Sequence, residues 1–198
     1  GGGTGGHRVT PATPDRAAFH AFVARHRRFL LTTHIHPDGD GLGSEAAMAL
    51  WLTAQGKETR ILNDSVMPPA FAFLARHAAF EVYEAEVAER RLSESDAVVV
   101  LDTSNRQRIG RLSAVLDRHP IPIAVVDHHV SHARGFGLVN VIEPEASATG
   151  EILYDLIREG GGAITPAIAE ALYVALMTDT GSFRYSNTDT HAHKMAAE

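Results

Sequence analysis

The sequence predicts an α/β fold, a doubly wound and mainly parallel sheet with helices on both faces. Short apolar runs alternate with segments of helical periodicity, which is the pattern of repeated strand–helix–strand units. Two of the runs, Val98–Leu101 and Ile123–Val126, are apolar without interruption, as expected for strands covered on both faces. Three runs end next to Asp or His, at the edge where open parallel sheets bind ligands.

The individual elements follow from apolar runs, helical spacing and flanking turn residues. In chain order, the predicted strands are Phe29–Thr33, Thr59–Leu62, Phe80–Tyr83, Ala97–Leu101, Ile121–Val126 and Leu138–Ile142. The predicted helices are Pro14–Arg28, Ser44–Gln55, Pro68–Arg76, about Arg108–Arg118, Ser147–Glu159 and Pro166–Met177. Ser44 is the candidate N-cap of the second helix, and Gly56 lies just past its end.

The expected domain occupies residues 16–188. Residues 1–15 are expected to form a flexible leader, because the run Gly1–Gly6 is glycine-rich and follows no strand. Met195–Glu198 favours a helix and carries no stop signal, so residues 189–198 are expected to begin a helix or linker toward a further domain. The alternative is a complete short protein with a frayed C-terminus.

Composition and charge narrow the function classes. The chain has 198 residues, 44% of them hydrophobic, which suits a domain with a sizeable core. A formal net charge of −6 argues against a long basic track for duplex nucleic acid, and the absence of Cys excludes disulfides and thiolate zinc sites. No run approaches the roughly 20 apolar residues that span a bilayer. No signal-peptide pattern is visible either, so we expect a cytoplasmic protein without membrane contact.

A segment rich in His, Asp and Gly follows the first predicted strand. It reads His34-Ile35-His36-Pro37-Asp38-Gly39-Asp40-Gly41-Leu42-Gly43-Ser44. Glycine and proline are expected to hold an extended loop, so that Asp38 and Asp40 point at different metal ions. His36 could replace His34 as a ligand on spacing alone, and the alternative for the whole segment is a polar strand-to-helix turn.

Two single aspartates are further candidates for metal ligands. Asp102 ends the run Val98–Leu101, where its carboxylate could bridge two cations with one oxygen on each; the alternative is a helix N-cap. Asp179 closes an otherwise apolar helical face, either as a helix-end residue near solvent or as one more ligand.

The segment Asp127-His128-His129 is more specific, because two adjacent imidazoles after a buried strand have little structural use. Side chains alternate at the end of a strand, so we expect one His to reach a given metal and the other to serve substrate phosphate or proton transfer. Asp127 would orient a neighbour or make a lesser contact. The alternative is a pair of surface histidines in a turn.

These ligand types predict a two-metal phosphoesterase. Carboxylate and imidazole without thiolate favour Mn²⁺ or Mg²⁺, with Zn²⁺, Co²⁺ and Fe²⁺ as alternatives. Two such ions roughly 3.5–4 Å apart lower the pKa of a bridging water and neutralise charge on phosphoryl oxygens. We therefore expect in-line attack by a metal-bridging hydroxide on a terminal phosphoester.

In this order, the segments resemble the motifs of the DHH phosphoesterase superfamily from about residue 20 onward. The four motifs are His34-x-x-x-Asp38-x-Asp40, Asp102, Asp127-His128-His129 and Thr178-Asp179-Thr180-Gly181. Within the superfamily, the chain most resembles the NrnA-type oligoribonuclease/pAp phosphatases. The segments that carry this closer resemblance are Pro37–Ser44, Glu143–Glu151 and Gly181–Tyr185.

The resemblance implies a role for each site residue. The ligands of one ion would be His34, Asp38 and Asp102, and those of a second ion would be Asp40, Asp102, His128 and Asp179. His129 would contact the scissile phosphate, and Arg108 and Arg184 are weaker candidates for phosphate or nucleotide contacts. Two departures are His36 and His132, where relatives usually carry Asn. A C-terminal DHHA1 domain with a glycine-rich, His-containing substrate motif is also absent from this sequence.

The implied substrates are short oligoribonucleotides and 3'-phosphoadenosine 5'-phosphate (pAp), with Mn²⁺ as the favoured ion and a homodimer as the candidate assembly. The alternatives with the same core are a cyclic-di-AMP or linear dinucleotide phosphodiesterase and a family II inorganic pyrophosphatase. A catalytically silent nucleotide-binding module is the non-enzyme alternative. A dinucleotide cofactor domain is disfavoured, because no G-x-G-x-x-G follows the first strand.

Overall fold

A computed structural model describes residues 14–130 and 134–198. A flexible leader was predicted for residues 1–15, of which residues 1–13 lie outside the described residues. His132, one of the two departures from the family pattern, also lies outside them.

One six-stranded sheet forms the centre of the molecule, in the order β3-β2-β1-β4-β5-β6. Its strands are β1 Arg28–Thr32, β2 Glu58–Asn63, β3 Phe80–Val82, β4 Ala97–Leu101, β5 Ile123–Asp127 and β6 Val139–Ile142. Each pairing within the described residues is parallel, where the sequence predicted a mainly parallel sheet. The strand order reverses between β1 and β4, so the carboxyl ends of these two strands flank the topological switch point.

Helices cover both faces of the sheet, as predicted. They are α1 Pro14–Arg25, α2 Gly39–Ala54, α3 Ala85–Glu94, α4 Leu112–Leu116, α5 Thr149–Glu159, α6 Pro166–Asp179 and α7 Thr190–Ala197. One core holds the buried residues of α1, α2, α5, α6 and α7, and a second core holds those of α3 and α4. No helix in the described residues combines the length and the apolar character needed to cross a membrane.

Successive side chains along a strand pack into the two cores in turn. In β1, Phe29 and Leu31 pack into the first core, whereas Leu30 between them packs into the second. Because successive strand residues point to opposite faces, a fully apolar strand is what a sheet covered on both sides requires. The uninterrupted apolar runs predicted this arrangement correctly.

Helix α2 begins five residues earlier than predicted, and Ser44 is not its cap. Asp38 caps the helix, with its side chain accepting from the backbone N–H groups of Asp40 and Gly41. The glycines lie inside the helix and permit close packing: a Cβ on Gly43 would lie 2.3 Å from the carbonyl oxygen of Ala171 in α6. The expected loop therefore ends at Asp38 and not at Ser44, because the glycines from Gly39 onward serve helix contact and not a turn.

The segment between β4 and β5 also differs from the prediction of one helix. Arg106–Ile109 forms a 3-10 turn, and α4 follows only after Gly110, whose φ of +64° interrupts helical backbone. Pro69–Arg76 is likewise a 3-10 helix. Helix α3 was not predicted, because it carries few apolar residues and buries only Ala88 and Leu92.

Candidate metal centre

The candidate ligands converge at the carboxyl edge of the sheet, although they come from distant parts of the chain. His34 lies in the turn after β1, and Asp38 and Asp40 lie at the start of α2. Asp102 follows β4, His128 follows β5, and Asp179 ends α6. Among the described residues they form overlapping groups of His and Asp, and within each group the ligand atoms lie within 4.8 Å of one another.

The first group consists of His34, Asp38 and Asp102. The Nε2 atom of His34 lies 3.3 Å from Asp102 Oδ2 and 3.9 Å from Asp38 Oδ1. Its Nδ1 atom lies 2.8 Å from the carbonyl oxygen of Ile35. A carbonyl only accepts, so Nδ1 carries the hydrogen and, in the neutral ring, the lone pair of Nε2 faces the carboxylates. This is the tautomer that a metal ligand needs.

The second group consists of Asp40, His128 and Asp179. The Nε2 atom of His128 lies 2.9 Å from Asp179 Oδ2 and 3.6 Å from Asp40 Oδ2. Its Nδ1 atom donates to the carbonyl oxygen of Ala146 at 3.2 Å. His128 is therefore oriented in the same way as His34, with the ring nitrogen that can bind a metal turned toward the carboxylates.

Asp102 belongs to the first group and also faces the second. Its Oδ2 atom faces His34, whereas its Oδ1 atom is 3.7 Å from Nε2 of His128. The backbone of Asp102 has a φ of +62°, a left-handed conformation that costs energy outside glycine and often marks a functional position. The alternative role as a helix N-cap is wrong, because Asn105 caps the following turn.

Electrostatics within the centre show an excess of buried negative charge. Burial and the charges of Asp102 and Asp179 raise the pKa of Asp40 well above its usual range. Burial and the charges of Asp38 and Asp179 raise the pKa of Asp102 to about 8. Burial lowers the pKa of His128, but its contact with Asp179 and the neighbouring carboxylates outweigh burial and raise it to about 9.

The residues fit divalent cations. Asp102 Oδ2 is buried and accepts no hydrogen bond from any described residue, which is costly unless a cation completes its environment. The donors are carboxylate oxygens and imidazole nitrogens, the set that suits Mn²⁺ and, with more oxygen, Mg²⁺. Cations held here would also offset the charge that raises the carboxylate pKa values.

His129 pairs with Asp127 beside the centre. The Nδ1 atom of His129 lies 2.8 Å from Asp127 Oδ1, and the backbone N–H of His129 donates to the same oxygen at 3.2 Å. Burial raises the pKa of Asp127, but the hydrogen bonds and the charge of His129 outweigh burial and lower it. Asp127 thus stays ionised and orients the His129 ring.

The ring of His129 is also close to the ligands. Its centroid lies 4.5 Å from that of His128, and a third group that could hold a metal joins both rings to Asp102. We expected only one of the adjacent histidines to reach a given metal. The structure instead places both within reach of Asp102, although the Nδ1 atom of His129 is engaged by Asp127.

Three other predicted residues lie outside these groups. His36 is exposed, with a φ of +53° and its backbone N–H donating to Ser65 Oγ, so the structure brings His34 and not His36 to the carboxylates. The carbonyl oxygen of Arg108 accepts from the N–H of Ile35 at 2.7 Å, which places its backbone beside the centre. Arg184 is exposed, and its Nε donates to the carbonyl oxygen of Gly181.

Sequence reasoning missed two sets of supporting residues. Glu45 in α2 is fully buried and accepts from Asn63 Nδ2 at 2.8 Å, while Asn63 Oδ1 accepts from the N–H of Thr33, next to His34. A charged residue on an otherwise apolar helix was the available signal. The start of α5, where Thr149 meets Asp40 and Asp102, carried no such signal.

Comparisons with known proteins identify the family of this chain. The model of the DHH family, N-terminal domain, matches residues 28–176. The bifunctional oligoribonuclease and PAP phosphatase NrnA of Thermus thermophilus is 34% identical over 169 residues, which cover 85% of this chain and 48% of that protein. The Bacillus subtilis protein of the same name is 26% identical over 181 residues, covering 89% of this chain and 53% of that protein.

The chain spans about half the length of the curated relatives it matches. Among solved structures, an exopolyphosphatase-related protein from Bacteroides fragilis superposes with a TM-score of 0.86 at 25% identity, covering 92% of this chain and 55% of that chain. The predicted resemblance to the superfamily, and within it to NrnA-type proteins, is confirmed. The chain belongs to the DHH family.

Proposed function

We propose that this chain is the catalytic part of a two-metal phosphoesterase that hydrolyses short oligoribonucleotides and pAp to mononucleotides. The observation that carries the proposal is the position of Asp102, whose two carboxylate oxygens face two separate groups of His and Asp. A carboxylate in that position can serve a pair of cations at once.

The proposed ligands of the first cation are His34, Asp38 and Asp102, and those of the second are Asp40, Asp102, His128 and Asp179. Mn²⁺ suits this donor set, with Mg²⁺ or Co²⁺ as alternatives. When bound, a pair of divalent ions lowers the pKa of water and offsets the charge that develops on phosphoryl oxygens.

His129 is the proposed contact for the scissile phosphate. Its side chain is 38% exposed, so a substrate can reach it, and Asp127 is fully buried behind it. Because Asp127 engages Nδ1, Nε2 is the atom left to act on substrate. In the protonated ring, Nε2–H can donate to a phosphoryl oxygen or pass a proton to the leaving oxygen. Asp127 stabilises the charged ring during that transfer.

The substrate class is supported by the relatives and by charge. Two relatives are named as bifunctional oligoribonuclease and PAP phosphatase. A formal net charge of −6 fits a small nucleotide or short RNA better than a long duplex. We propose Arg108 and Arg184 as the cationic contacts to substrate phosphates. A homodimer working in the cytoplasm is the proposed setting.

The direct test is Mn²⁺-dependent hydrolysis. The purified chain is assayed with a short oligoribonucleotide, pAp, cyclic-di-AMP, pyrophosphate and an aryl phosphodiester. We expect turnover of the first two and of the aryl ester, abolished by EDTA. Preference for cyclic-di-AMP or pyrophosphate would replace the proposed substrate, and Mn²⁺ binding without any turnover would favour a silent nucleotide-binding module.

The matched variants are Asp102→Asn and Asp155→Asn. Asn tolerates the left-handed backbone at position 102 but removes a negative ligand from both cations, so we expect a loss of more than about 100-fold in kcat/KM. Asp155 is an acid on a helix and lies outside the centre; its side chain is 21% exposed, against 1% for Asp102. Its variant should keep near-normal turnover, and equal losses in the two variants would contradict the bridging role.

A further inference from the structure

The amino end of α5 is directed at two of the proposed ligands. Ala148 is the N-cap residue by position, but no side chain caps the helix from there. Asp40 does so from α2: its Oδ2 accepts from the N–H of Thr149 at 2.7 Å and its Oδ1 from the N–H of Gly150 at 2.9 Å. Both oxygens of this carboxylate are thus held by backbone donors at the positive end of a helix.

The side chain of Thr149 continues this contact to Asp102. Its hydroxyl donates to Asp102 Oδ1 at 2.9 Å, and both side chains are buried. Gly150 permits the approach, because a Cβ there would lie 2.5 Å from the Cβ of Ala175 in α6. One turn of helix therefore contacts an acid from each of two other elements.

Little else orients the carboxylate of Asp102. Its Oδ2 atom accepts no hydrogen bond within the described residues, and the Thr149 hydroxyl is the donor that Oδ1 has there. The last torsion of an aspartate side chain is broad, so the backbone alone does not fix the plane of its oxygens. The Thr149 hydroxyl supplies that restraint.

We propose that Thr149 is a positioning residue for the cation pair: its hydroxyl holds Asp102 Oδ1 toward the second group, which leaves Oδ2 for the first. This inference rests on the proposed function, since it concerns the two cations of that centre. The effect should be uneven. Oδ1 lies on the side of Asp40 and His128, so the loss of the hydroxyl should weaken the second cation more than the first.

The test is Mn²⁺ binding to the full chain, measured by titration calorimetry and by the EPR signal of free Mn²⁺. Thr149→Val keeps the shape and the backbone N–H but removes the hydroxyl. We expect one of the two dissociation constants to rise about 10-fold or more, as for other groups that orient metal ligands, and the other to stay within about threefold. Thr149→Ser, which keeps the hydroxyl, should bind like the wild type.

The matched control is Thr165→Val. Thr165 caps α6 through the same type of hydroxyl and accepts from the N–H of Ile168, far along the helix from Asp179. We expect this variant to melt at a lower temperature yet to bind both cations normally. Thr149→Ala serves as the second hydroxyl-free variant if Thr149→Val does not fold, and each melting curve is recorded without metal.

Two results would overturn the inference. Unchanged affinities in both hydroxyl-free variants would show that Asp102 needs no restraint from Thr149. Equal weakening in Thr149→Ser, which keeps the hydroxyl, and in Thr149→Val, which loses it, would show that Mn²⁺ affinity depends on the packing of the whole side chain and not on the hydroxyl. A wild-type chain that binds no Mn²⁺ would instead overturn the proposed function itself, so the two failures can be told apart.

Discussion

Two clusters of acidic side chains contact α5, and they balance their charge in different ways. The first, here the Arg16 cluster, consists of Arg16, Glu143, Asp155 and Glu159. The second, here the metal-facing cluster, consists of Asp38, Asp40, Asp102 and Asp179 with His34 and His128. The guanidinium of Arg16 reaches all three acids of its cluster, whereas imidazoles are the cationic groups that the metal-facing acids contact within the described residues.

The difference shows which cluster is complete by itself. A guanidinium is permanently charged and forks between carboxylates, so each acid of the Arg16 cluster has a cationic partner within the chain. In the metal-facing cluster, burial and mutual repulsion raise the pKa of Asp40 and Asp102, a sign that the folded chain does not supply enough positive charge. Divalent cations are the missing component in our interpretation.

Removing the guanidinium of Arg16 should cause the largest change in stability. Arg16→Met removes a buried guanidinium from three partly buried acids, and we expect the free energy of unfolding to fall by about 3–5 kcal/mol in urea denaturation. Mn²⁺ affinity should be retained in the folded fraction. Arg118→Met removes an exposed ion pair with Glu89 and should change stability little. A similar small change in Arg16→Met would contradict a structural role for the Arg16 cluster.

Supplying the missing cations should have the next largest effect. At 100 times its dissociation constant, Mn²⁺ should stabilise the wild type by about 2.7 kcal/mol per site, measured as a rise in unfolding free energy that EDTA reverses. Asp102→Asn should lose most of this rise, because the residue faces both groups. An Asp155→Asn variant should keep it. A rise that survives in Asp102→Asn would place the cations elsewhere.

Glu45, a buried acid outside both clusters, extends the comparison with a smaller expected effect. No cation among the described residues pairs with Glu45, and burial raises its pKa to about 8. A raised folded-state pKa favours the fold below the unfolded value of roughly 4.3, and that stability is lost as pH rises through about 8. Glu45→Gln cannot ionise, so at pH 9 it should be more stable than the wild type by at least about 1.4 kcal/mol, the free energy of one pKa unit.

The measurement is unfolding free energy from pH 5 to pH 9 for both proteins without metal. The variant and the wild type should differ least near pH 5 and separate progressively up to about pH 8, because over this range Glu45 is ionised in the unfolded chain but still protonated in the folded one. Parallel curves over the whole range would show that Glu45 is already neutralised by a partner. Other acids titrate equally in both proteins and cancel in the difference.

Much of the fold could be predicted from local patterns. Strands such as Val98–Leu101 are apolar on both faces, so their burial follows from residue type alone. The same patterns misplaced the start of α2, because glycine at position 43 suits both a loop and a close helix contact. Only the position of α6 against α2 distinguishes these uses.

The candidate site shows the same division. Residue chemistry selected the six candidate ligands: five are Asp or His residues that follow predicted strands, and Asp179 closes an apolar helical face. It left His34 and His36 as equal candidates, because spacing along a turn does not tell which side chain faces inward. The backbone at His36, with a φ of +53°, turns that side chain toward solvent in the folded chain.

The sequence by itself determined the strands, the helices' faces and the chemical types that end each strand, because these depend on neighbours within a few residues. Tertiary structure alone decided which oxygen of Asp102 faces which group of ligands. It also decided that Asp40 caps the amino end of α5. The reason is distance along the chain. Asp40 and Thr149 are 109 residues apart, and their contact exists only once the sheet order and the packing of α5 have brought them together.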